Sequence, residues 1–312
     1  MPRCFLLFSG GLDSILAAKI LEEQKIKITP ICFKSYFFGC ESVKKSAENL
    51  GLKLKVVDIS EKHLKIVKKP RYGLGKGMNP CIDCHLLMLK EAKKIMEKES
   101  KGAKLYTNFI ATGDVLGERP FSQNAKALLQ IEKSAGLKGK VLRPLSAKLL
   151  SPTIYEKKGI IDREKLFGIF GKSRKPQLAL TKKFKIKEFP TPAGGCILTD
   201  LEYSKKLKKL FQKNPKFDGN DCLVLRRGRV FWEGKNLIVV ARNEEECNFL
   251  KKLKKERDII IEPKNFSGPT VLIRFFKNKS SKKVIKKGIE LLLNYSKTMP
   301  PEAVILLSPQ LV

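Results

Sequence analysis

The sequence predicts an α/β fold, a doubly wound parallel sheet with a second, smaller α+β domain, and three observations carry that reading. Short apolar runs alternate with helical patterns over the first 145 residues. A glycine pair, Gly10-Gly11, stands at the first strand-to-helix junction. From about residue 214 the rhythm changes to short β segments punctuated by glycine turns. Strands that alternate with helices imply parallel pairing with helices on both faces, and ligands of such sheets sit past the carboxyl ends of the strands.

Taken in order, Cys4–Phe8 reads as a buried strand. Ser14–Gln24 follows as a helix with Ile15, Leu16, Ala18 and Ile20 on its apolar side. Ile28–Phe33 is a second strand, Ser42–Asn49 a second helix closed by Gly51, and Leu54–Ile59 a third strand. Leu86–Lys98 is amphipathic, Leu105–Thr112 is strand-like and Ser122–Lys133 is helical. Val141–Leu142 closes the series before Arg143-Pro144-Leu145. Residues 1–150 are thus the core of a first domain, 1–214. Its extension, 151–214, is Lys-rich, with helical pieces at Arg163–Phe170 and Glu202–Phe211 and a cysteine in the run Thr191-Pro192-Ala193-Gly194-Gly195-Cys196. Residues 215–312 form the second domain. Cys222–Leu225, Arg229–Trp232 and Asn236–Val240 read as β segments turning at Gly228 and Gly234. Glu244–Lys255 reads as a helix, Ile259–Glu262 and Val271–Phe275 as strands, and Ser280–Tyr295 as a helix.

The formal net charge is +33. Residues 201–312 hold 25 Lys and Arg against 12 Asp and Glu, so the excess is spread along the chain and is not a basic tail. Such a field suits a polyanion such as RNA, and equally a solvated lysine surface. No apolar run approaches the roughly 20 residues of a membrane span, and Cys4–Phe8 is too short for a signal-peptide core. A cytoplasmic location is expected. Eight cysteines in such a compartment argue against a disulfide framework. Cys4, Cys32, Cys222 and Cys247 lie in or beside apolar stretches and read as inert buried thiols, and Cys40 is ambiguous.

Two glycines after a strand let the backbone turn sharply and aim N–H groups inward at a helix N-terminus, a nest for an anion. In Ser9-Gly10-Gly11-Leu12-Asp13-Ser14 two hydroxyls join them, and no lysine completes a GxxxxGK[ST] pattern. Asp13 beside phosphate calls for Mg²⁺ or an orienting role. The run resembles the SGGxDS fingerprint of the PP-loop ATP pyrophosphatase superfamily, whose adenine nucleotide alpha-hydrolase-like members cleave ATP between its α- and β-phosphates. The resemblance implies that Ser9, Gly10, Gly11, Asp13 and Ser14 hold pyrophosphate, with Phe33, at the end of the second strand, against adenine. Ala111-Thr112-Gly113-Asp114, Leu116-Gly117, Ser122-Gln123 and Arg143-Pro144-Leu145 are similar to the second half of the tRNA 4-thiouridine synthase domain. That places Thr112 and Gly113 near an adenylate. The chain departs from the pattern at Glu118-Arg119-Pro120-Phe121, and it lacks the Asp-Lys pair that follows RPL in that family. No THUMP-type RNA module is expected ahead of the loop.

Asn79-Pro80-Cys81-Ile82-Asp83-Cys84-His85 opens a helix, where the dipole and nearby lysines favour thiolates or metal ligands. NPCxxC resembles the tRNA 2-thiouridylase family, in which a remote cysteine in a Gly-rich segment completes the pair; here Cys196 lies 112 residues beyond Cys84. Cys81 and Cys196 can work as persulfide carrier and resolving thiol. Cys81, Cys84 and Cys196 can equally ligate a [4Fe–4S] cluster with an open iron, the reading that uses all three thiols. A zinc site with His85, or a plain helix cap, are the other readings.

Arg226-Arg227-Gly228-Arg229, Arg242 to Glu246, and Glu262-Pro263 with Gly268-Pro269-Thr270 resemble an RNA-binding domain of the NFACT-R type. Arg226, Arg227 and Arg229 beside Phe231 and Trp232 form a backbone-and-stacking surface for RNA, or else a solvated turn over a buried Trp232. His63 reads as part of a surface helix without a role. Together the resemblances imply an ATP- and Mg²⁺-dependent tRNA uridine thiolase, with Asp13, Cys81 and Cys196 as catalytic residues. Its partners would be tRNA and a sulfur donor, whether a cysteine desulfurase, a carrier protein or sulfide. A PP-loop ligase acting on a small molecule, and an RNA-binding regulator with an inactive nucleotide fold, are the alternatives.

Overall fold

The computed structural model describes residues 1–100, 107–190, 195–276, 281–297 and 300–308, and the chain divides into two units, Met1–Thr199 and Asp200–Val312. Leu105 and Tyr106 of the expected fourth strand, Thr191–Gly194 ahead of Cys196, and Ser280 lie outside the described residues.

The first unit is built on β1 (Arg3–Leu7), α1 (Leu12–Glu23), β2 (Lys27–Lys34), α2 (Glu41–Glu48), β3 (Lys55–Asp58), α3 (Ser60–Lys68), α4 (Cys81–Glu99), β4 (Asn108–Thr112), α5 (Ala125–Ala135) and β5 (Val141–Leu142). The five strands are parallel in the order β3-β2-β1-β4-β5. Connections run one way from β1 to β3 and the other way through β4 and β5. The switch point therefore falls between β1 and β4, where Leu7 pairs with Thr112. Alternate residues of the strands point to opposite faces. Leu6, Cys32, Phe109 and Leu142 join Leu12, Leu16 and Ile20 of α1 on one side. Phe5, Ile31, Phe33, Ile110 and Val141 join Leu86 and Leu89 of α4 on the other. Sheet strands buried on both faces need continuous apolar runs, which is what β1 and β4 carry.

After β5 the chain holds α6 (Ile154–Lys157) and α7 (Lys175–Lys183). The expected helix Arg163–Phe170 reduces to a single 3₁₀ turn at Arg163–Lys165. Phe167 and Ile169 instead donate their N–H groups to Pro144 O and Leu145 O, at 2.9 and 2.8 Å, extending the chain alongside the Arg143-Pro144-Leu145 segment. His63 is buried on α3, with Nδ1 2.8 Å from Ser35 Oγ and its ring against Phe37 and Phe38, so it is not a surface residue. Cys32 is no inert thiol. It is joined to Cys40 in a disulfide across 6.2 Å between Cα atoms, because the end of β2 and the N-cap of α2 converge there.

The second unit begins with α8 (Leu201–Lys213), which the sequence reading had placed in the first domain. Its Tyr203 hydroxyl donates to Cys222 O at 2.9 Å, and Phe211 packs on Phe217. Then come α9 (Gly219–Val224), β6 (Arg229–Glu233), β7 (Asn236–Val240), α10 (Glu244–Lys252), β8 (Ile259–Pro263), β9 (Val271–Arg274), α11 (Lys282–Asn294) and β10 (Ile305–Ser308). Cys222–Leu225 is thus helical rather than extended. Asp218 and Asp221 cap each other's backbone N–H in a capping box, a local signal that outweighs the apolar run. The strands form an antiparallel sheet in the order β10-β8-β9-β7-β6, with α11 on one face. Arg274, 1% exposed, crosses the unit's interior to Asp221 at 2.8 Å and Asp258 at 2.7 Å, and donates to Leu253 O. A buried cation is tolerable only when bonded this fully.

Candidate nucleotide and thiol sites

The Ser9–Ser14 loop leaves β1 and caps α1 with Gly11, and no side chain of the cap takes the first N–H groups of the helix. Those donors, at the positive end of α1, are what an anion would meet. Gly10 has φ +71°, and a Cβ there would stand 3.0 Å from Val43 Cα of α2. Ser46 Oγ of α2 donates to Gly10 O at 3.1 Å, holding the turn from behind. Ser14 Oγ donates to Gly11 O at 2.8 Å and lies 3.4 Å from Ser9 Oγ.

The Thr112–Asp114 segment, at the end of β4, closes onto this loop. A Cβ on Gly113 would lie 2.8 Å from both Asp13 C and Ser14 N, so only glycine permits the approach. Thr112 Oγ1 and Gln123 Nε2 donate to the Asp114 carboxylate at 2.8 and 3.1 Å. Burial pushes the Asp114 pKa up. The charges of His85 and Arg143, with these two hydrogen bonds, outweigh that and hold it below the ordinary value. Arg143, itself buried, bonds Glu132 and stands 3.6 Å from Asp114. Asp13 is the opposite case: burial raises its pKa against a 3.3 Å bond from Gln177 Nε2 and the charges of Arg174 and Arg119. Phe33 places its side chain in the core beside Ile59 and Leu86.

The cysteines sit around a different set of contacts. Cys81 is the first residue of α4, and Asn79 Nδ2 donates to its Sγ at 3.1 Å. Cys84, one turn on, is buried; desolvation, then the neighbouring Cys196 and Cys81, push its pKa well up. Cys196 is brought there by its flanks: Ile197 N–H donates to Phe37 O at 3.1 Å, and Met78 N–H donates to Leu198 O at 3.0 Å. Cys196 is half-buried and not disulfide-bonded. Among the described residues no group of three or more His, Cys, Asp or Glu side chains is arranged to hold a metal ion. Cys84 thus feels both Cys81 and Cys196, but the three thiols do not form a ready cage for the expected cluster. His85 links the two sites. Burial lowers its pKa, and it interacts with Asp114, Arg119 and Arg143, so the first turn of α4 lies beside the Thr112–Asp114 segment.

Three residues at the nucleotide end went unnoticed in the sequence: Arg119, Arg174 and Gln177. Arg119 sat inside the apparent motif interruption, and the other two in a Lys-rich run. A polar residue at the apolar period of α7 was the available signal for Gln177, which is 1% exposed.

In the second unit Arg226 is exposed. Arg227 pairs with Glu245 and lies over Phe249, and exposed Arg229 lies 4.4 Å over the Tyr295 ring. Trp232 is half-buried and stacked with Phe276 at 6.3 Å, so it is not buried beneath a solvated turn.

Residues 228–308 match the family described as NFACT protein RNA binding domain. The tRNA-specific 2-thiouridylase MnmA of Sulfurimonas denitrificans is 31% identical over 120 residues, 36% of this chain and 34% of its own length. A probable tRNA sulfurtransferase of Thermococcus kodakarensis is 27% identical over 176 residues, 55% of this chain and 42% of its own. A solved 4-thiouridine synthetase–RNA complex with bound ATP is similar at 24% identity and a TM-score of 0.36, over 59% of this chain and 50% of that one. The chain thus spans between a third and a half of the relatives it matches, and its resemblance to tRNA thiolases, carried in the sequence by short motifs, extends to curated proteins. No helix among the described residues is long and apolar enough to cross a membrane.

Proposed function

We propose that the protein is a cytoplasmic, ATP-dependent tRNA uridine thiolase. The supporting observation is the closure of two loops at the sheet's switch point, Ser9–Ser14 and Thr112–Asp114, beside a helix that opens with Cys81. The uridine carbonyl oxygen attacks the α-phosphorus of ATP, and pyrophosphate leaves into the N–H nest at the start of α1. Mg²⁺ neutralises phosphate charge when bound with the nucleotide. Asp13 is the carboxylate of the loop itself that would hold it, and a Mg²⁺ site of few protein ligands is ordinary when phosphates complete the shell. Asp114, kept ionised by Arg143 and by the hydrogen bonds from Thr112 and Gln123, orients those two side chains at the adenylate.

Sulfur then arrives on Cys196 as a persulfide: the Cys196 thiolate attacks the outer sulfane sulfur of a persulfide carried by a cysteine desulfurase or a carrier protein, whose own thiolate is the leaving group. Its terminal sulfur attacks the adenylated carbon and AMP leaves. The Cys81 thiolate attacks the inner sulfur of Cys196, which releases the thiocarbonyl and leaves a Cys81–Cys196 disulfide for a cellular thiol to reduce. A [4Fe–4S] cluster on Cys81, Cys84 and Cys196 is the second reading, motivated by the electrostatic influence of both Cys81 and Cys196 on Cys84. It requires their closure on one centre, and anaerobic iron and sulfide analysis separates the two. The second unit would hold tRNA through Arg226, Arg227 and Arg229, with aromatic rings beside them. Mass spectrometry of nucleosides from cells lacking the protein tests the proposal: a thiouridine should disappear from tRNA, and an unchanged thionucleoside profile would refute it.

A further inference from the structure

Two departures in the sequence meet at one place in the fold. The segment Glu118–Phe121 interrupts the Thr-Gly motif, and the Asp-Lys pair, with its lysine, that should follow Arg143-Pro144-Leu145 is missing. In the structure Leu116 bridges to Phe170, and Gly171 N–H donates to Leu116 O at 2.8 Å. The interruption and the approach to α7 are therefore tied side by side. Gln177, in the first turns of α7, donates to Asp13 Oδ1 at 3.3 Å, which sets that helix's start over the phosphate loop. Gln177 is buried, and its Oε1 has no partner.

Arg174, the N-cap of α7, is half-buried, and Arg119 is exposed. Both act on Asp13 and on Glu118 through their charge. Among the described residues neither guanidinium is in an ion pair, unlike those of Arg3, Arg143, Arg163, Arg227, Arg242 and Arg274. A polyphosphate entering the loop meets backbone dipoles and two carboxylates that repel it. Without cations the balance is unfavourable, and a guanidinium fork matches phosphate oxygens in pairs.

We propose that Arg119 and Arg174 grip the phosphates of the nucleotide in the Ser9–Ser14 loop, taking the place of the lysine the sequence lacks. This rests on the reading of that loop as a nucleotide site. The two arginines reach in from outside the SGGLDS run, one from each of two segments tied together, so the jaw opposite α1 is the chain's own solution to the missing charge. They act on the β- and γ-phosphates, and so should distinguish ATP and pyrophosphate from AMP.

Calorimetric titration of the full chain with ATP, pyrophosphate and AMP tests this, on the wild type, Arg119→Ala, Arg174→Ala, the double variant and Arg174→Lys, each shown folded by its melting curve. Each alanine should weaken ATP and pyrophosphate binding about tenfold while AMP changes less than about twofold. The salt dependence should become shallower, and Arg174→Lys should keep part of the affinity. Wild-type binding of ATP with an unchanged double variant overturns the assignment, as does equal weakening of ATP and AMP. A wild type that binds neither ATP nor pyrophosphate overturns the loop reading, and the assignment with it.

Discussion

The phosphate loop and the thiol site neighbour each other past the carboxyl ends of one sheet, and the chain builds them by opposite means. The loop is local. Six consecutive residues make it, and its shape follows from backbone sterics: Gly10 at positive φ, and Gly113 pressed onto Asp13 and Ser14. The thiol site is assembled from segments more than a hundred residues apart. Two backbone hydrogen bonds, Ile197 to Phe37 and Met78 to Leu198, carry Cys196 to the start of α4. Contiguous sterics make a rigid cradle for a fixed anion. A site pinned by a few long-range bonds suits a thiol that must receive, deliver and be regenerated. Activation and sulfur delivery should accordingly be separable by substitution.

The largest expected effect is at Cys196. Cys196→Ser should abolish sulfur insertion while leaving tRNA-dependent ATP–pyrophosphate exchange near the wild-type rate; loss of both would mean the two sites are one. Asp13→Ala should instead block activation itself, lowering exchange by about 10²-fold or more and sulfur insertion with it, with RNA binding intact in a gel-shift titration. Unchanged turnover would remove Asp13 from the reaction.

Acid should reach the thiol side through His63, whose pKa burial lowers from 6.5 to about 4. Folded protein keeps this ring neutral where the unfolded chain protonates it. Its contribution is therefore complete above pH 6.5, is lost as pH falls towards 4, and amounts to about 3 kcal/mol at most. Urea unfolding of the wild type and His63→Leu at pH 7 and pH 4.5 measures it. The wild type should lose more stability between the two pH values than the variant, and parallel losses would contradict the assignment. Gly113→Ala is a milder break of the loop, with ATP affinity expected to fall about tenfold as backbone shifts relieve the 2.8 Å contact. Smallest of all, Arg229→Ala should weaken RNA binding a few-fold and reduce the salt slope by about one.

The same contrast explains what was legible in the sequence. The sheet, its order of strands and helices, and the glycine loop could be read because each rests on adjacent residues: apolar runs, a glycine pair, a hydroxyl at either end. The three thiols could be singled out by their Pro- and Gly-rich surroundings, but not the threading by Phe37 and Met78 that gathers them. Cys32 was misread as an inert thiol, and Cys40 left ambiguous, because compartment and composition say nothing about a strand end meeting a helix cap. The helix at Gly219–Val224 was hidden by an apolar run whose capping carboxylates, Asp218 and Asp221, lie on either side of its start. Arg119 and Arg174 were invisible for a related reason. One sat in what looked like damage to a motif, the other among lysines, and only the fold brings the charge of both to bear on Asp13.

The most direct test of the central claim is to quantify pyrophosphate and thiouridine in one reaction of purified protein, ATP, Mg²⁺, unmodified tRNA and a sulfur donor. Equal amounts of the two, with no pyrophosphate when tRNA is left out, are expected. Release of ADP and phosphate in place of pyrophosphate, or pyrophosphate release indifferent to tRNA, would contradict it.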